Sequence, residues 1–236
     1  MSQCRFINMD SNLFASNSVY SYCDNNPAGA LDPHGQDAIW ITSSERVPIW
    51  GHTALLIEYE GEWRYCKFAQ NGIVKRIVPD QAMSSLEAFN KHLKTTKTPY
   101  DSCTYIFGDF TESFEYFDAL PSNYYKNYSI ITNNCMTMSW KLISMGTAAD
   151  GSSIEDVMHD AFWASDGAYG ICNTCIPNHM VNNVKYTFAN DQFTAAEAKN
   201  QIVSQYARIK KQQDSWIGWM FPSQTYTRFR RLIGVD

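Results

Sequence analysis

The chain has 236 residues, of which 44% are hydrophobic and 18% are charged, and this composition is typical of a globular protein. Such a length suits one large domain, or one domain with a tail. The formal net charge of −5 argues against a general nucleic-acid binder, so we expect no nucleic-acid partner. No apolar run approaches the roughly 20 residues of a membrane-spanning helix, and the N-terminus shows no basic-then-apolar signal.

The cysteines number seven, and an odd count without a signal peptide favours reduced thiols over a disulfide framework. Cys172, Cys175 and His179 have the spacing of metal ligands, with His159 as a conceivable fourth. Most structural zinc sites show two close ligand pairs, so ordinary loop thiols are the favoured interpretation here. We therefore expect no bound metal and no cofactor.

Residues 1 to 35 are crowded with Asn, Asp, Ser, Gly and Pro, which is not typical of the start of a compact domain. They contain three motifs in order: Arg5-Phe6-Ile7-Asn8-Met9-Asp10, Tyr20-Ser21-Tyr22-Cys23-Asp24-Asn25-Asn26-Pro27 and Asp32-Pro33-His34-Gly35. Together these motifs resemble the closing motif of an RHS-repeat core, the shell-forming region of polymorphic toxins.

That resemblance implies a division of the chain into residues 1–35, the tail of the RHS core, and residues 36–236, a C-terminal toxin domain. It implies that the chain is a piece of a longer one, whose RHS shell would be a partner. It also implies a secreted or delivered effector that acts in the cytoplasm of a target cell, and a cognate immunity protein.

The first half of the toxin region predicts a hairpin-rich sheet. Residues 38–42 predict a strand, and residues 50–59 and 62–69 predict a hairpin that turns at Glu60-Gly61. Residues 73–78 and 103–107 predict further strands. The sequence Ser84-Ser85-Leu86-Glu87 has capping-box spacing and predicts a helix to about Leu93.

The second half alternates predicted helices with short strands. Helices are expected over 111–120, 135–145 with Gly146 as C-cap, 152–164 and 194–213, and strands over 128–132 and 184–188. Residues 165–180 predict a loop. The tail, 216–236, is aromatic and basic; it is either a membrane or partner contact or, as we favour, packed onto the domain. The fold class is α+β, with an antiparallel sheet packed against a helix that bears a cysteine at its N-terminus.

Cys135 is that cysteine, since it follows Asn133-Asn134 at the predicted helix start. Helix-terminal N–H groups and the helix dipole favour a thiolate there and supply part of an oxyanion hole. His52 begins the predicted hairpin, and thiol catalysis needs an imidazole within hydrogen-bond reach. We interpret Cys135 as the nucleophile and His52 as its base. Asn133 or Asn134 either donates a side-chain hydrogen bond or caps the helix, and capping is the favoured role.

The third catalytic residue follows from pleat geometry. If Glu60-Gly61 is a two-residue turn, counting back along the hairpin puts His52 opposite Ala69. His52 then shares a face with Ala54, Leu56, Tyr65, Lys67, Ala69 and Asn71. Asn71 becomes its diagonal neighbour and an acceptor for the imidazole N–H, whereas a one-residue change in the turn would substitute Gln70.

The stretches Gly51-His52-Thr53-Ala54-Leu55-Leu56 and Asn133-Asn134-Cys135 resemble circularly permuted papain-like families related to NlpC/P60 proteins, including the lecithin:retinol acyltransferase group. In those families a Gly-His strand precedes an Asn-Cys helix start. The resemblance implies a permuted papain-like fold and a thiol hydrolase acting on amide or ester bonds, as a protease, a deamidase or an acyl-transfer enzyme. The substrate would be an unknown protein or lipid in the target cell.

Two other functions remain open. One is a lipid-directed acyltransferase or phospholipase, which the retinol-acyltransferase side of the resemblance suggests. The other is a non-catalytic binding module, in which Cys135 is a small buried side chain, as most cysteines of globular proteins are.

Overall fold

The structure is a computed structural model, and it describes residues 36–47, 50–95, 97–148, 151–158 and 176–204 apart from 189 and 203. The RHS-like segment, the Cys172 and Cys175 thiols, His159 and the aromatic, basic tail lie outside the described residues. The side chain of His179 is likewise not described.

The chain is a mixed α+β protein built on a five-stranded antiparallel sheet. Its strands are β1 Ala38–Ser43, β2 His52–Tyr59, β3 Glu62–Ala69, β4 Gly72–Val78 and β5 Ser102–Ile106, in the order β4-β3-β2-β1-β5. A small second sheet pairs β6 Gly108–Asp109 with β7 Thr147–Ala148.

The predicted hairpin between β2 and β3 is confirmed, and its register holds from Tyr59–Glu62 to Leu55–Cys66, where the pairing ends short of the predicted His52–Ala69 pair. Tyr59 pairs with Glu62, and both turn residues, Glu60 and Gly61, have positive φ, as a two-residue type I′ turn requires.

Four helices pack on the sheet: α1 Leu86–Leu93, α2 Thr111–Ala119, α3 Cys135–Ser144 and α4 Pro177–Phe188. Residues 154–158 and 195–202 are also helical. The predicted start of α1 is confirmed, but the predicted Ser84–Glu87 capping box is wrong: the N-cap is Ser85, whose side chain accepts a hydrogen bond from the Ala88 N–H, and Ser84 donates to the Gln81 carbonyl instead. Thr194 and Glu197 make the same kind of cap before residue 195.

Two predicted strands are wrong. Residues 184–188 form the last part of α4, where Val184 and Phe188 bury one face at helical spacing. Residues 128–132 belong to a tight loop in which the N–H of Ser129 and the N–H of Asn133 each donate to the other residue's carbonyl. A short apolar run does not distinguish a strand from a buried helix segment or a closed loop.

The predicted role of Gly146 is also wrong. Helix α3 ends at Ser144, and its C-cap residue Met145 keeps right-handed helical dihedral angles. Gly146 instead lies against the Phe110 ring, where an added Cβ would overlap the ring atoms. The glycine therefore serves close packing.

Helices cover both faces of the sheet. Leu55 and Ile57 of β2 belong to a core shared with α2, α3 and α4, whereas Ala54 and Leu56 belong to a core shared with α1 and residues 193–198. Every residue of β1 is buried for this reason. The N-terminus of α3 is thereby placed against the first residues of β2, in the middle of the sheet.

Candidate functional site

The first turn of α3 is fixed by a capping box on Asn134. The Asn134 side chain accepts a hydrogen bond from the Thr137 N–H at 3.0 Å, and the Thr137 hydroxyl accepts from the Asn134 N–H at 2.8 Å. Asn133 donates its side-chain N–H to the Asn127 carbonyl at 3.0 Å. Both asparagines therefore shape the chain that leads into the helix, and Cys135 is the first helical residue.

The Cys135 sulfur lies among hydrogen-bond donors although the residue is only 5% exposed. Burial raises the pKa of the thiol above its ordinary value. Opposing this, the backbone N–H groups of Thr53, Met136 and Cys135 itself and the Tyr128 hydroxyl lower the pKa through hydrogen bonds to the sulfur. Burial is the larger effect, so the resting thiol is protonated at neutral pH.

His52 is the first residue of β2, pairs with Ser43 of β1 and is 4% exposed. Its ring centroid lies 6.4 Å from that of Tyr100. Within the described part of the chain, its Nε2 has no hydrogen-bond partner. Burial, and after it the charges of Arg46 and Lys67, lower the pKa of His52 to about 3. The imidazole is neutral at physiological pH and is therefore able to accept a proton.

Cys135 and His52 both lie near the first residues of β2. The pairing of β2 with β3 ends at Leu55 and Cys66, although β2 itself continues back to His52. The thiol lies at this opening, where it accepts from the N–H of Thr53, the residue next to His52. Lys67 of β3 is close enough to act electrostatically on both groups.

The two side chains make no direct hydrogen bond in this state. His52 alternates with Ala54 and Leu56, whose side chains pack on the α1 face of the sheet, whereas the core of α3 packs on the opposite face. Proton transfer between Cys135 and His52 therefore requires a rearrangement at the open end of the pairing when substrate binds.

Asn71 occupies the turn between β3 and β4 and is exposed. In the described structure no hydrogen bond joins it to His52, and Gln70 shares the same exposed turn. The face on which Asn71 was predicted does exist, since Leu56 and Tyr65 pack together on it. The orienting role of Asn71 stays a prediction.

The sequence did not point to Tyr128, Arg46 or Tyr100 as site residues. Tyr128 reaches the sulfur only because the loop before α3 is folded back on itself, and no pattern in the sequence signals such a loop. Arg46 and Tyr100 come from separate segments that the sheet brings together. Lys67 was detectable, because the predicted hairpin register already placed it on the His52 face.

The segment before His52 is held by α4. The backbone N–H of Asn178 donates to the Trp50 carbonyl at 3.1 Å, and its side-chain N–H donates to the Ser44 carbonyl at 3.2 Å. Gly51 has a φ of +76°, and an added Cβ would overlap the Asn178 side chain. A glycine is therefore required next to the imidazole.

No known protein family matches the chain, and neither does any curated protein or any solved structure. Across the described ranges, no three His, Cys, Asp or Glu side chains form a group that could hold a metal ion. The helices in that part of the chain also include none with the length and apolar character needed to span a membrane.

Proposed function

We propose that residues 36–236 form a thiol hydrolase of the circularly permuted papain-like type, with Cys135 as nucleophile and His52 as base. One observation carries this proposal. Donors from the N-terminus of α3 and from Thr53 converge on the Cys135 sulfur. The residue before Thr53 is His52, a buried neutral imidazole whose Nε2 has no partner among the described residues. Buried polar groups are normally hydrogen-bonded, so an unpaired Nε2 at this place fits a group that waits for a proton.

The chemistry proceeds through an acyl-enzyme. Cys135 Sγ attacks the carbonyl carbon of an amide or ester while its proton passes to His52 Nε2. The N–H groups of Cys135 and Met136 hold the developing oxyanion. The imidazolium then protonates the leaving amine or alcohol, and water or another acceptor releases the acyl group with His52 again as base.

The resting state differs from a preformed ion pair. The thiol is protonated and the imidazole has a pKa of about 3, so proton transfer accompanies attack on a bound substrate. Such an enzyme reacts more slowly with small electrophiles than one with a preformed thiolate, and substrate contacts bring Cys135 and His52 together.

The proposed biological role is that of a delivered toxin. It is supported by the RHS-like motifs in residues 1–35, and it entails release from an RHS shell, action in the target-cell cytoplasm and a cognate immunity protein. A protein substrate, cleaved or deamidated, is the version that we favour.

The test is growth of cells that express residues 36–236. Wild type should arrest growth, and Cys135→Ala and His52→Ala should not, provided that circular dichroism shows them folded. Cys103→Ala is the matched control, because Cys103 is also a buried free cysteine but lies on β5. Growth arrest by folded Cys135→Ala would refute thiol catalysis and leave the binding module as the remaining function.

A lipid-directed acyltransferase or phospholipase is the second candidate, and the loop before α3 favours it. Ile130 and Ile131 are 50% and 64% exposed, and the loop that carries them is closed by the Ser129–Asn133 hydrogen bonds. A rigid apolar tip so close to the nucleophile suits contact with acyl chains. Vesicle flotation of wild type and of Ile131→Ser should differ if lipid is the substrate and should agree if it is not.

A further inference from the structure

Cationic side chains gather around His52 on the α1 face of the sheet. The Arg46 guanidinium lies over the Tyr100 ring, 5.1 Å from its centroid, and donates to the Tyr100 hydroxyl at 3.3 Å. The hydroxyl oxygens of Tyr100 and Tyr65 are 2.5 Å apart. The ring of His52 is 6.4 Å from that of Tyr100, so Arg46 and His52 flank one aromatic side chain.

Strands β3 and β4 add two more cations to this face. Arg76 is the cross-strand partner of Tyr65, and Lys67 lies two residues beyond Tyr65 on the same strand. Side chains two residues apart on a strand share a face. Lys67 is half-buried, and it is the cation that acts on both His52 and Cys135.

No described acid neutralises these cations. The ion pairs between described residues join Arg64 to Glu62 and Lys75 to Asp118. Arg46 donates to neutral acceptors, the Tyr100 hydroxyl and the hydroxyl and carbonyl of Thr98. Asp101, the acid next to Tyr100 in sequence, accepts from the Ser44 N–H instead.

Among the described residues, the electrostatic result is an excess of positive charge beside His52, of which Lys67 also acts on Cys135. Burial lowers the pKa of Lys67, and the charge of Arg46 lowers it further. Like charges held together without counter-ions destabilise a fold, and an anionic ligand relieves that repulsion. The buried His52 ring, whose Nε2 has no hydrogen-bond partner among the described residues, lies next to these cations, so a ligand held by them would lie beside the proposed base.

We propose that the substrate carries an anionic oxygen group, a carboxylate or a phosphate, which Arg46 and Lys67 bind beside Cys135. This inference rests on the proposed function, since it names the substrate class of the same site. The anion fixes the substrate at one end, and the scissile carbonyl then lies at the sulfur. Arg76, more exposed at the rim, draws the anion toward the site.

The test compares two alkylating reagents of similar size, iodoacetate, which is anionic, and iodoacetamide, which is neutral. Both need the thiolate, so the ratio of their rates at Cys135 cancels the pKa of the thiol and reports the field that the reagent meets. The ratio is measured by peptide mass spectrometry and divided by the ratio for the same peptide in the unfolded protein. We expect the normalised ratio to be about tenfold in favour of iodoacetate at low salt.

Lys67→Gln and Arg46→Gln should each bring the ratio most of the way to unity, whereas Lys91→Gln should leave it unchanged. Lys91 is exposed on α1. Lys91→Gln therefore removes one positive charge, as the other two substitutions do, without touching the site. A ratio near unity in wild type, with Cys135 still alkylated, would overturn the anion site and leave the thiol proposal standing. If Arg46→Gln fails to fold, Lys67→Gln still tests the proposal. The β3–β4 pairing at Lys67 uses backbone groups, so the substitution leaves it in place.

Protection of Cys135 by added anions shows whether the site binds a carboxylate or a phosphate. Inorganic phosphate and acetate are compared at matched ionic strength for their ability to slow iodoacetate, and the stronger protector identifies phosphate or carboxylate as the group bound. If Cys135 reacts with neither reagent, the proposed nucleophile fails, and the anion site is then judged by the thermal midpoint. Phosphate should raise the midpoint of wild type relative to chloride but not that of Lys67→Gln, and equal shifts in both would overturn the site.

Discussion

Acid should unfold this protein through His52. The imidazole is held neutral in the native state, with a pKa of about 3, whereas in the unfolded chain it titrates at its ordinary value of 6.5. As the pH falls below 6.5 the unfolded chain binds a proton that the native protein does not, and the native state loses stability. The loss continues until the pH reaches about 3.

The magnitude follows from the same two pKa values. Each pH unit in that window removes about 1.4 kcal/mol from the free energy of unfolding, and between pH 7 and pH 5 the loss is about 2 kcal/mol. The charges of Arg46 and Lys67 act in the same direction as burial on the pKa of His52.

The assay is urea unfolding at pH 7 and pH 5 for wild type and for His52→Gln, which stays neutral at every pH. The difference in stability between the two pH values should be about 2 kcal/mol smaller in His52→Gln than in wild type. His92→Gln, which removes an exposed histidine of α1, should keep the wild-type difference. An unchanged difference in His52→Gln would refute the reasoning that the imidazole is buried and neutral.

Three further outcomes are expected. Asn134→Ala should lower the free energy of unfolding by about 1 kcal/mol through loss of the α3 cap, measured in urea. Gly51→Ala should destabilise more than Gly61→Ala, because both glycines have positive φ but only Gly51 lies against Asn178; equal losses would contradict the close approach. Tyr128→Phe should raise the pKa of the proposed nucleophile, read from the pH dependence of iodoacetamide alkylation, since a donor to the sulfur is removed.

The central hairpin and the start of α3 were predictable because local chemistry determines them. In the turn at Glu60-Gly61 the glycine accepts positive φ without strain, and the turn sets the register between β2 and β3. Asn134 caps a helix whose first residue was expected to be Cys135. Both site residues therefore stand where short-range signals put them.

What the sequence did not predict depends on tertiary contacts. Residues 184–188 carry β-branched and aromatic side chains, yet they complete a helix whose buried face fills the core around β5. The loop around Ile130 is closed by backbone hydrogen bonds, which no periodic pattern in the sequence predicts. The cationic surroundings of His52 come from strands and from the segment that carries Arg46, and only the assembled sheet brings them together.

The most direct test of the central claim is to look for the acyl-enzyme. The protein is mixed with p-nitrophenyl acetate, release of nitrophenolate is followed by absorbance, and the acetyl group is located by peptide mass spectrometry. We expect a thioester on Cys135 and none on Cys66 or Cys103, whose thiol pKa values burial raises, and we expect His52→Gln to slow its formation by about 100-fold or more. An acetyl group that forms as fast in His52→Gln, or a Cys135 that stays unmodified, would contradict a Cys135–His52 thiol hydrolase.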